Sequence, residues 1–182
     1  MNPYIKINDR KIGPDFPPLV IAEVGINHEG DFDKALCLVD AASLAGAEII
    51  KFQTHITDKE MLKTDMKPGN ISEEILWDII KRCELTAEEE IKIQKYCNQK
   101  NILYLSTPFS REASDRLENM NVPAFKIGSG ECNNLPLIKH IASKGKPIIL
   151  STGMNDISSI SRSVQIIKNY KCPLAILHCT SM

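Results

Sequence analysis

No apolar run in the 182 residues approaches the roughly 18 that a membrane-spanning helix needs. Neither charge sign is in excess, since 22 basic residues stand against 23 acidic ones. That balance argues against a nucleic-acid-binding arm and against a polybasic membrane anchor. The first residues, Met-Asn-Pro-Tyr-Ile-Lys, lack the basic-then-apolar order of a signal peptide. We therefore expect a cytoplasmic protein that contacts neither membrane nor nucleic acid.

Several catalytic motifs are missing as well. The chain has no Gly-x-Ser-x-Gly nucleophile elbow, no Walker A loop and no dinucleotide-binding glycine pattern. No Cys-x-x-Cys pair indicates a zinc or redox centre, and no histidine spacing is typical of a metal site. We expect the six cysteines to be reduced, mostly buried thiols. They are Cys37, Cys83, Cys97, Cys132, Cys172 and Cys179.

Six short β-rich runs alternate with segments of helical periodicity. The runs cover residues 21–24, 49–53, 103–107, 124–129, 148–152 and 176–181. Short, continuously apolar strands separated by helices indicate a parallel sheet in an α/β fold. A whole (β/α)8 TIM barrel usually needs roughly 250 residues. We therefore predict one domain over residues 1–182, built as an incomplete barrel of this type with six βα strands.

Local signals predict a hairpin and several helix boundaries. Residues 3–12 alternate apolar and polar side chains, which predicts an N-terminal β-hairpin that covers the bottom of the barrel. Asp31 is placed to cap a helix that ends near residue 45, and Thr86 with Glu89 forms a capping box. A helix is also predicted at 73–82, inside a long segment that we interpret as an ordered substrate loop.

Charged residues interrupt the otherwise apolar strands. Glu23 lies in the first run, and a carboxylate near a barrel axis needs a cation, a ligand or a raised pKa. Lys51 and Gln53 point to the same side of the second run, because strand side chains alternate. A lysine beside an amide suits an anionic, oxygen-rich ligand. The simpler alternative is a structural ion pair between Glu23 and Lys51.

A second cation and a set of hydroxyls extend this prediction. Lys126 lies on the fourth run, and in parallel βα units the carboxyl ends of the strands meet on one face. Hydroxyls that precede helices favour phosphate or carboxylate, although each alone is more typical of a helix cap. Together they indicate an anion site. The hydroxyls are those of Thr107, Ser129, Ser151, Thr152, Thr180 and Ser181.

In combination these segments resemble the sialic acid synthase family along essentially the whole chain. The segments are Ile21-Ala-Glu-Val-Gly-Ile-Asn-His-Glu-Gly30, Lys51-Phe-Gln-Thr54, Leu105-Ser-Thr-Pro-Phe109, Phe125-Lys-Ile-Gly-Ser-Gly-Glu-Cys-Asn-Asn134, Ile149-Leu-Ser-Thr-Gly-Met154 and His178-Cys-Thr180. The resemblance implies a TIM-barrel transferase that condenses phosphoenolpyruvate with N-acetylmannosamine and water. The products would be N-acetylneuraminate and phosphate.

The same resemblance implies a role for each site residue. Glu23, Lys51 and Gln53 form the implied catalytic set, with Glu23 near the reacting carbons. The phosphate of phosphoenolpyruvate would be held by Lys51, Thr107, Ser129 and Ser151. Its carboxylate would be held by Lys126, and the acceptor sugar would meet Gln53 and Asn70. Ser181 stands where the family usually has an asparagine that helps to hold phosphate, and Glu131 also matches a family acid.

The family also implies parts that this chain does not carry. It uses Mn²⁺ or Mg²⁺, and its metal-binding histidines, last two barrel strands and small C-terminal domain correspond to positions beyond residue 182. A homodimer is expected for the complete enzyme, and little turnover is expected from this chain alone. Two alternatives stay open: a synthase for a related sugar acid such as legionaminic acid, or a non-catalytic phosphoenolpyruvate-binding part of a split enzyme.

Overall fold

The computed structural model describes residues 2–69 and 72–180, and it has an α/β fold with eight strands and seven α-helices in that part of the chain. The predicted N-terminal hairpin is confirmed. Its strands β1 (Ile5–Ile7) and β2 (Arg10–Ile12) pair antiparallel, with Ile5 opposite Ile12. Asn8 in the turn has a φ of 49°, a left-handed conformation that asparagine tolerates better than most residues.

Six parallel strands follow, in two sheets of three. One sheet contains β3 (Ile21–Gly25), β4 (Ile49–Thr54) and β5 (Leu103–Pro108), in that order. The other contains β6 (Phe125–Ile127), β7 (Ile148–Ser151) and β8 (Leu174–Leu177). Strands β5 and β6 are neighbours but belong to separate hydrogen-bonded sheets. All six strands therefore send their carboxyl ends toward one face.

Helices connect the strands, as the alternation predicts. They are α1 (Phe32–Leu44), α2 (Thr57–Glu60), α3 (Leu76–Arg82), α4 (Ala87–Gln99), α5 (Arg111–Asn119), α6 (Leu135–Ala142) and α7 (Ile157–Asn169). Asp31 accepts a hydrogen bond from the Lys34 amide at the start of α1, and the capping box of Thr86 and Glu89 is present at α4. Both predicted caps are thus confirmed.

Two apolar layers hold the strands in place. The larger lies between strands and helices and includes Ile50, Phe52 and Leu150. The smaller joins alternate residues of the two sheets, such as Ile49 and Ile149, to residues of the hairpin. Its hairpin member Ile7 is fully buried, so β1 and β2 cover the amino-terminal end of the parallel strands, as predicted.

Some boundaries differ from the predictions. The fourth run ends at Ile127 rather than 129, because Ser129–Glu131 turns into a 3₁₀ helix. The last strand is Leu174–Leu177 rather than 176–181, because its register with β7 starts at Ile148 opposite Leu174. Helix α3 begins at Leu76 instead of residue 73, and α2 lacks any predicted counterpart.

The cysteines are mostly buried, as predicted. Four of the six thiols are buried, whereas Cys37 is exposed on α1. None of them forms a disulfide within the described part of the chain.

Across residues 2–69 and 72–180, no helix is both long and apolar enough to cross a membrane.

Candidate active site

An ion pair between Glu23 and Lys51 lies at the carboxyl ends of β3 and β4. The two residues are register partners, and Lys51 Nζ lies 2.5 Å from Glu23 Oε2. The Lys51 side chain is buried at 8% exposure, whereas that of Glu23 is 56% exposed. The cationic partner expected for Glu23 is therefore present. The carboxylate faces the open mouth above the strands.

Backbone geometry at the end of β3 brings Glu23 close to Gln53. The pairing of β3 with β4 shifts between Glu23 and Gly25, and Gly25 has a φ of +56°. Only glycine adopts that conformation without strain. A Cβ added at Gly25 would lie 3.5 Å from Glu23 Oε1 and 3.8 Å from Gln53 Nε2. Carboxylate and amide therefore border the same glycine, as expected for side chains on one face of the sheet.

Thr107 extends this cluster onto β5. Its Oγ1 accepts a hydrogen bond of 3.3 Å from Lys51 Nζ, and the threonine is buried. The first sheet thus contributes a buried lysine with one hydroxyl and one carboxylate around its ammonium group.

Lys126 is the cation of the second sheet. Its Nζ donates to Ser151 Oγ at 2.6 Å and to the Ile127 carbonyl at 2.8 Å. Burial and, to a smaller extent, the charge of Lys51 lower the pKa of Lys126 from 10.5 to about 8, against the opposing effects of Cys179 and Glu23. Lys126 and Lys51 therefore sit near enough to repel each other. An anion bound between them would relieve that repulsion.

The loops after β6 and β7 are joined at Ser129. Its Oγ accepts a hydrogen bond of 3.0 Å from the Gly153 amide, and its carbonyl accepts one of 2.8 Å from Asn155 Nδ2. The Ser129 hydroxyl keeps its own proton available for a ligand. These bonds fix the loop that follows Lys126 against the loop that follows Ser151.

The expected site residues therefore fall into two facing groups. Glu23, Lys51, Gln53 and Thr107 lie on the first sheet, and Lys126, Ser129 and Ser151 lie on or after strands of the second. The structure brings these seven to the same end of the strands. Asn70 and Ser181, the other two expected contacts, lie outside the described residues, so their roles stay predictions.

Sequence reasoning missed a hydrogen-bonded chain of three side chains, those of Gln53, His55 and Glu60. His55 Nε2 lies 3.1 Å from Gln53 Oε1, and His55 Nδ1 lies 2.7 Å from Glu60 Oε1. The imidazole also stacks on Phe109, with ring centroids 4.5 Å apart. A spacing signal was available, because residues that directly follow neighbouring parallel strands are themselves neighbours, as His55 and Phe109 are.

The described residues do not fit a divalent metal. Among residues 2–69 and 72–180, no three His, Cys, Asp or Glu side chains approach closely enough to hold an ion. The expected Mn²⁺ or Mg²⁺ would need ligands from elsewhere.

Several known proteins are similar to this chain. A sequence model of the NeuB family matches residues 38–182. An uncharacterized protein of Methanocaldococcus jannaschii is 40% identical over 97% of this chain and 50% of its own length. The N,N'-diacetyllegionaminic acid synthase of Legionella pneumophila is 36% identical, over 97% of this chain and 52% of its own. The chain spans about half the length of these curated relatives.

A solved structure gives the same picture. The crystal structure of an N-acetylneuraminic acid synthetase from Leptospira borgpetersenii, in complex with citrate, matches with a TM-score of 0.88 and 32% identity. The match covers 100% of this chain and 61% of that one. The agreement extends over all the elements that carry the two facing groups of site residues.

Proposed function

The chain belongs to the NeuB family, the sialic acid synthase family that its motifs resemble, and from that premise we propose that it carries the phosphoenolpyruvate half of a sugar acid synthase site. The complete enzyme would condense phosphoenolpyruvate with N-acetylmannosamine and water to give N-acetylneuraminate and phosphate. Its fold would be a (β/α)8 barrel, of which β3–β8 are six strands. The observation that carries the proposal is the approach of two buried lysines from separate sheets.

Phosphoenolpyruvate has two anionic groups, and the site has two cationic centres to match. In this proposal Lys51, Thr107, Ser129 and Ser151 hold the phosphate, and Lys126 holds the carboxylate. Both ammonium groups already have hydroxyl partners, which fixes their positions before the ligand arrives. Charged hydrogen bonds from buried ammonium groups such as these are stronger than those in bulk water. Fixed positions also remove much of the entropy cost of aligning the enol carbon with the aldehyde.

Glu23 is the proposed catalytic carboxylate. Its pairing with Lys51 keeps one oxygen near the phosphate position, while its high exposure leaves the group open toward the mouth. In the condensation the enol carbon bonds to the aldehyde carbon, whose oxygen takes up a proton and becomes a hydroxyl. Water adds to the neighbouring carbon and loses a proton, and the bond from that carbon to the phosphate oxygen breaks, which leaves a keto group and phosphate. In this proposal Glu23 takes the proton that the added water loses. Gln53, on the same side of the mouth, would contact the acceptor sugar with Asn70.

One observation favours a second acceptor. The relative from Legionella pneumophila is named for N,N'-diacetyllegionaminic acid, and it is 36% identical to this chain. A diacetylated sugar of the same stereochemical type would use the same phosphoenolpyruvate half. The other alternative, a non-catalytic phosphoenolpyruvate-binding part of a split enzyme, differs only in where the remaining strands come from. The divalent metal and the homodimer expected of the complete enzyme are likewise proposals.

Glu23→Gln tests the catalytic assignment. In the polypeptide that carries the whole family barrel, the variant should bind phosphoenolpyruvate at least as tightly as wild type, because Lys51 loses a competing carboxylate. Condensation should be lost, as measured by phosphate release. Glu29→Gln is the matched control, since Glu29 lies in the loop that follows β3 and its side chain forms an exposed ion pair with Lys34. Full turnover by Glu23→Gln would show that another group is the catalytic carboxylate.

A further inference from the structure

His55 is held rigidly between Gln53 and Glu60. Its two ring nitrogens face these side chains at 3.1 Å and 2.7 Å, and its ring stacks on Phe109 at an interplanar angle of 16°. The side chains of His55 and Glu60 are each only 3% exposed. Three independent contacts thus fix the position and the rotation of the imidazole.

Glu60 holds the Nδ1 side of the ring. One of its carboxyl oxygens shares a hydrogen bond of 2.7 Å with Nδ1 of His55. The second Glu60 oxygen accepts a hydrogen bond of 3.3 Å from the Ile56 amide, which anchors the carboxylate to the backbone. The other ring nitrogen, Nε2, is left to face Gln53. The short helix α2, which carries Glu60, is thereby connected to Gln53 through the ring of His55.

The amide of Gln53 lies between this ring and the mouth of the site. Its Oε1 faces His55, and its Nε2 is on the side of Gly25 and Glu23. In this orientation Oε1 of Gln53 accepts from Nε2 of His55. Turning the amide by half a rotation would present the carbonyl, not the NH2 group, to a ligand.

We propose that His55 is a positioning residue that holds Oε1 of Gln53 and so aims the NH2 group of Gln53 at an oxygen atom of the acceptor sugar. His55 itself touches no substrate. The inference rests on the proposed function in one respect, namely that Gln53 contacts the acceptor. It adds that His55 and Glu60 together fix the orientation of the Gln53 amide.

Two variants of His55 separate positioning from mere packing. His55→Gln keeps a donor near the position of Nε2, and His55→Asn keeps one near the position of Nδ1 only. Both lose the stacking on Phe109, so a structural role predicts the same effect for both. Positioning predicts that His55→Asn raises the KM for N-acetylmannosamine by roughly 3- to 10-fold, the loss expected for one hydrogen bond. His55→Gln should stay within about twofold of wild type.

Turnover is measured in the polypeptide with the whole barrel, and the KM for phosphoenolpyruvate should be unchanged in both variants. The double variant Gln53→Ala with His55→Asn should be no worse than Gln53→Ala alone, because His55 acts through Gln53. Equal effects of the Asn and Gln variants would overturn the inference, as would additive effects in the double variant. If Gln53→Ala itself leaves the KM for the sugar unchanged, the proposed acceptor contact is wrong and the inference fails with it.

A measurement on the unmodified protein is independent of turnover and of variant folding. Long-range ¹H–¹⁵N correlation spectra of the His55 ring report which nitrogens carry protons. The inference predicts a proton on Nε2, and one ordered set of side-chain NH2 signals for Gln53. An Nε2 that carries no proton would mean that the Gln53 amide is turned the other way, which would overturn the inference.

Discussion

Replacing Lys126 by methionine should stabilise the folded chain while removing its second cationic centre. Lys126 is 7% exposed, and its ammonium group has hydrogen-bond partners but no carboxylate in contact. Methionine has a similar length and no charge, so it fills the same space. The variant therefore separates the cost of a buried charge from the packing of the side chain.

The magnitude follows from the pKa. Because the pKa of Lys126 falls from 10.5 to about 8, holding its charge at pH 7 costs the folded state about 3 kcal/mol. The variant loses two hydrogen bonds, which together contribute about 1–2 kcal/mol. At pH 7 we therefore expect Lys126→Met to raise the free energy of unfolding by about 1–2 kcal/mol.

The sign of the pH dependence gives a second check. Because the pKa of Lys126 is lower in the folded state, its buried charge destabilises the folded wild type by the full amount below pH 8. That destabilisation decreases as the pH rises from 8 toward 10.5. The advantage of Lys126→Met should thus shrink above pH 8 and be reversed by pH 10. Titrating groups that do not interact with Lys126 cancel in the difference between the two proteins, whereas Cys179 does not, because the charge of Lys126 helps to lower its pKa.

Urea unfolding at pH 7 and pH 10, followed by circular dichroism, measures both quantities. Lys95→Met is the matched control, since Lys95 is exposed on α4 and its removal should change stability by less than about 0.5 kcal/mol. A Lys126→Met variant that is less stable than wild type at pH 7, with a difference independent of pH, would refute the reasoning. The ammonium group would then be stabilising in the free protein.

Three further predictions concern binding and stability. The affinity for phosphoenolpyruvate should fall about tenfold per pH unit above pH 8, as Lys126 loses its proton, and calorimetry at pH 7 and 9 checks this. Gly30→Ala should cost about 3 kcal/mol or more in urea unfolding, because its Cβ would lie 2.1 Å from the Arg82 carbonyl at a φ of +81°. Arg116→Met should cost about 3 kcal/mol at pH 7 by leaving the buried Glu90 carboxylate without its cation. Burial already raises the pKa of Glu90, so its carboxylate gains a proton more readily as the pH falls, and the cost of Arg116→Met should be smaller at pH 5 than at pH 7. A cost that is the same at both pH values would contradict this prediction.

Local sequence signals predicted the features whose causes are local. The caps at Asp31 and at Thr86 with Glu89 depend on residues three apart, and both are present. The pair of Glu23 and Lys51 followed from strand alternation and from the expected order of strands. Helix α2 was missed because four residues carry no periodicity. Its Thr57 is held by Glu84, 27 positions away, a contact that no local pattern reveals.

The rest of the site depends on how the sheets pack. The sequence predicted that Lys126 would join the site, but its repulsion with Lys51 depends on how closely β6 approaches the first sheet. Glu23 lies where the pairing of β3 with β4 shifts and its side chain is 56% exposed, and no local pattern reveals either feature. Cys37 was expected among buried thiols, yet its position on α1 places it toward solvent.

Calorimetric titration of the chain with phosphoenolpyruvate, with and without Mn²⁺, decides whether the chain carries the phosphoenolpyruvate half of the site. The proposed function predicts binding that does not need the metal, because the anion contacts come from described residues of this chain. It also predicts that Lys126→Ala abolishes that binding while Lys95→Ala preserves it. Absence of binding by a chain that is nevertheless folded would contradict the claim, since the two lysines alone would then not form an anion site.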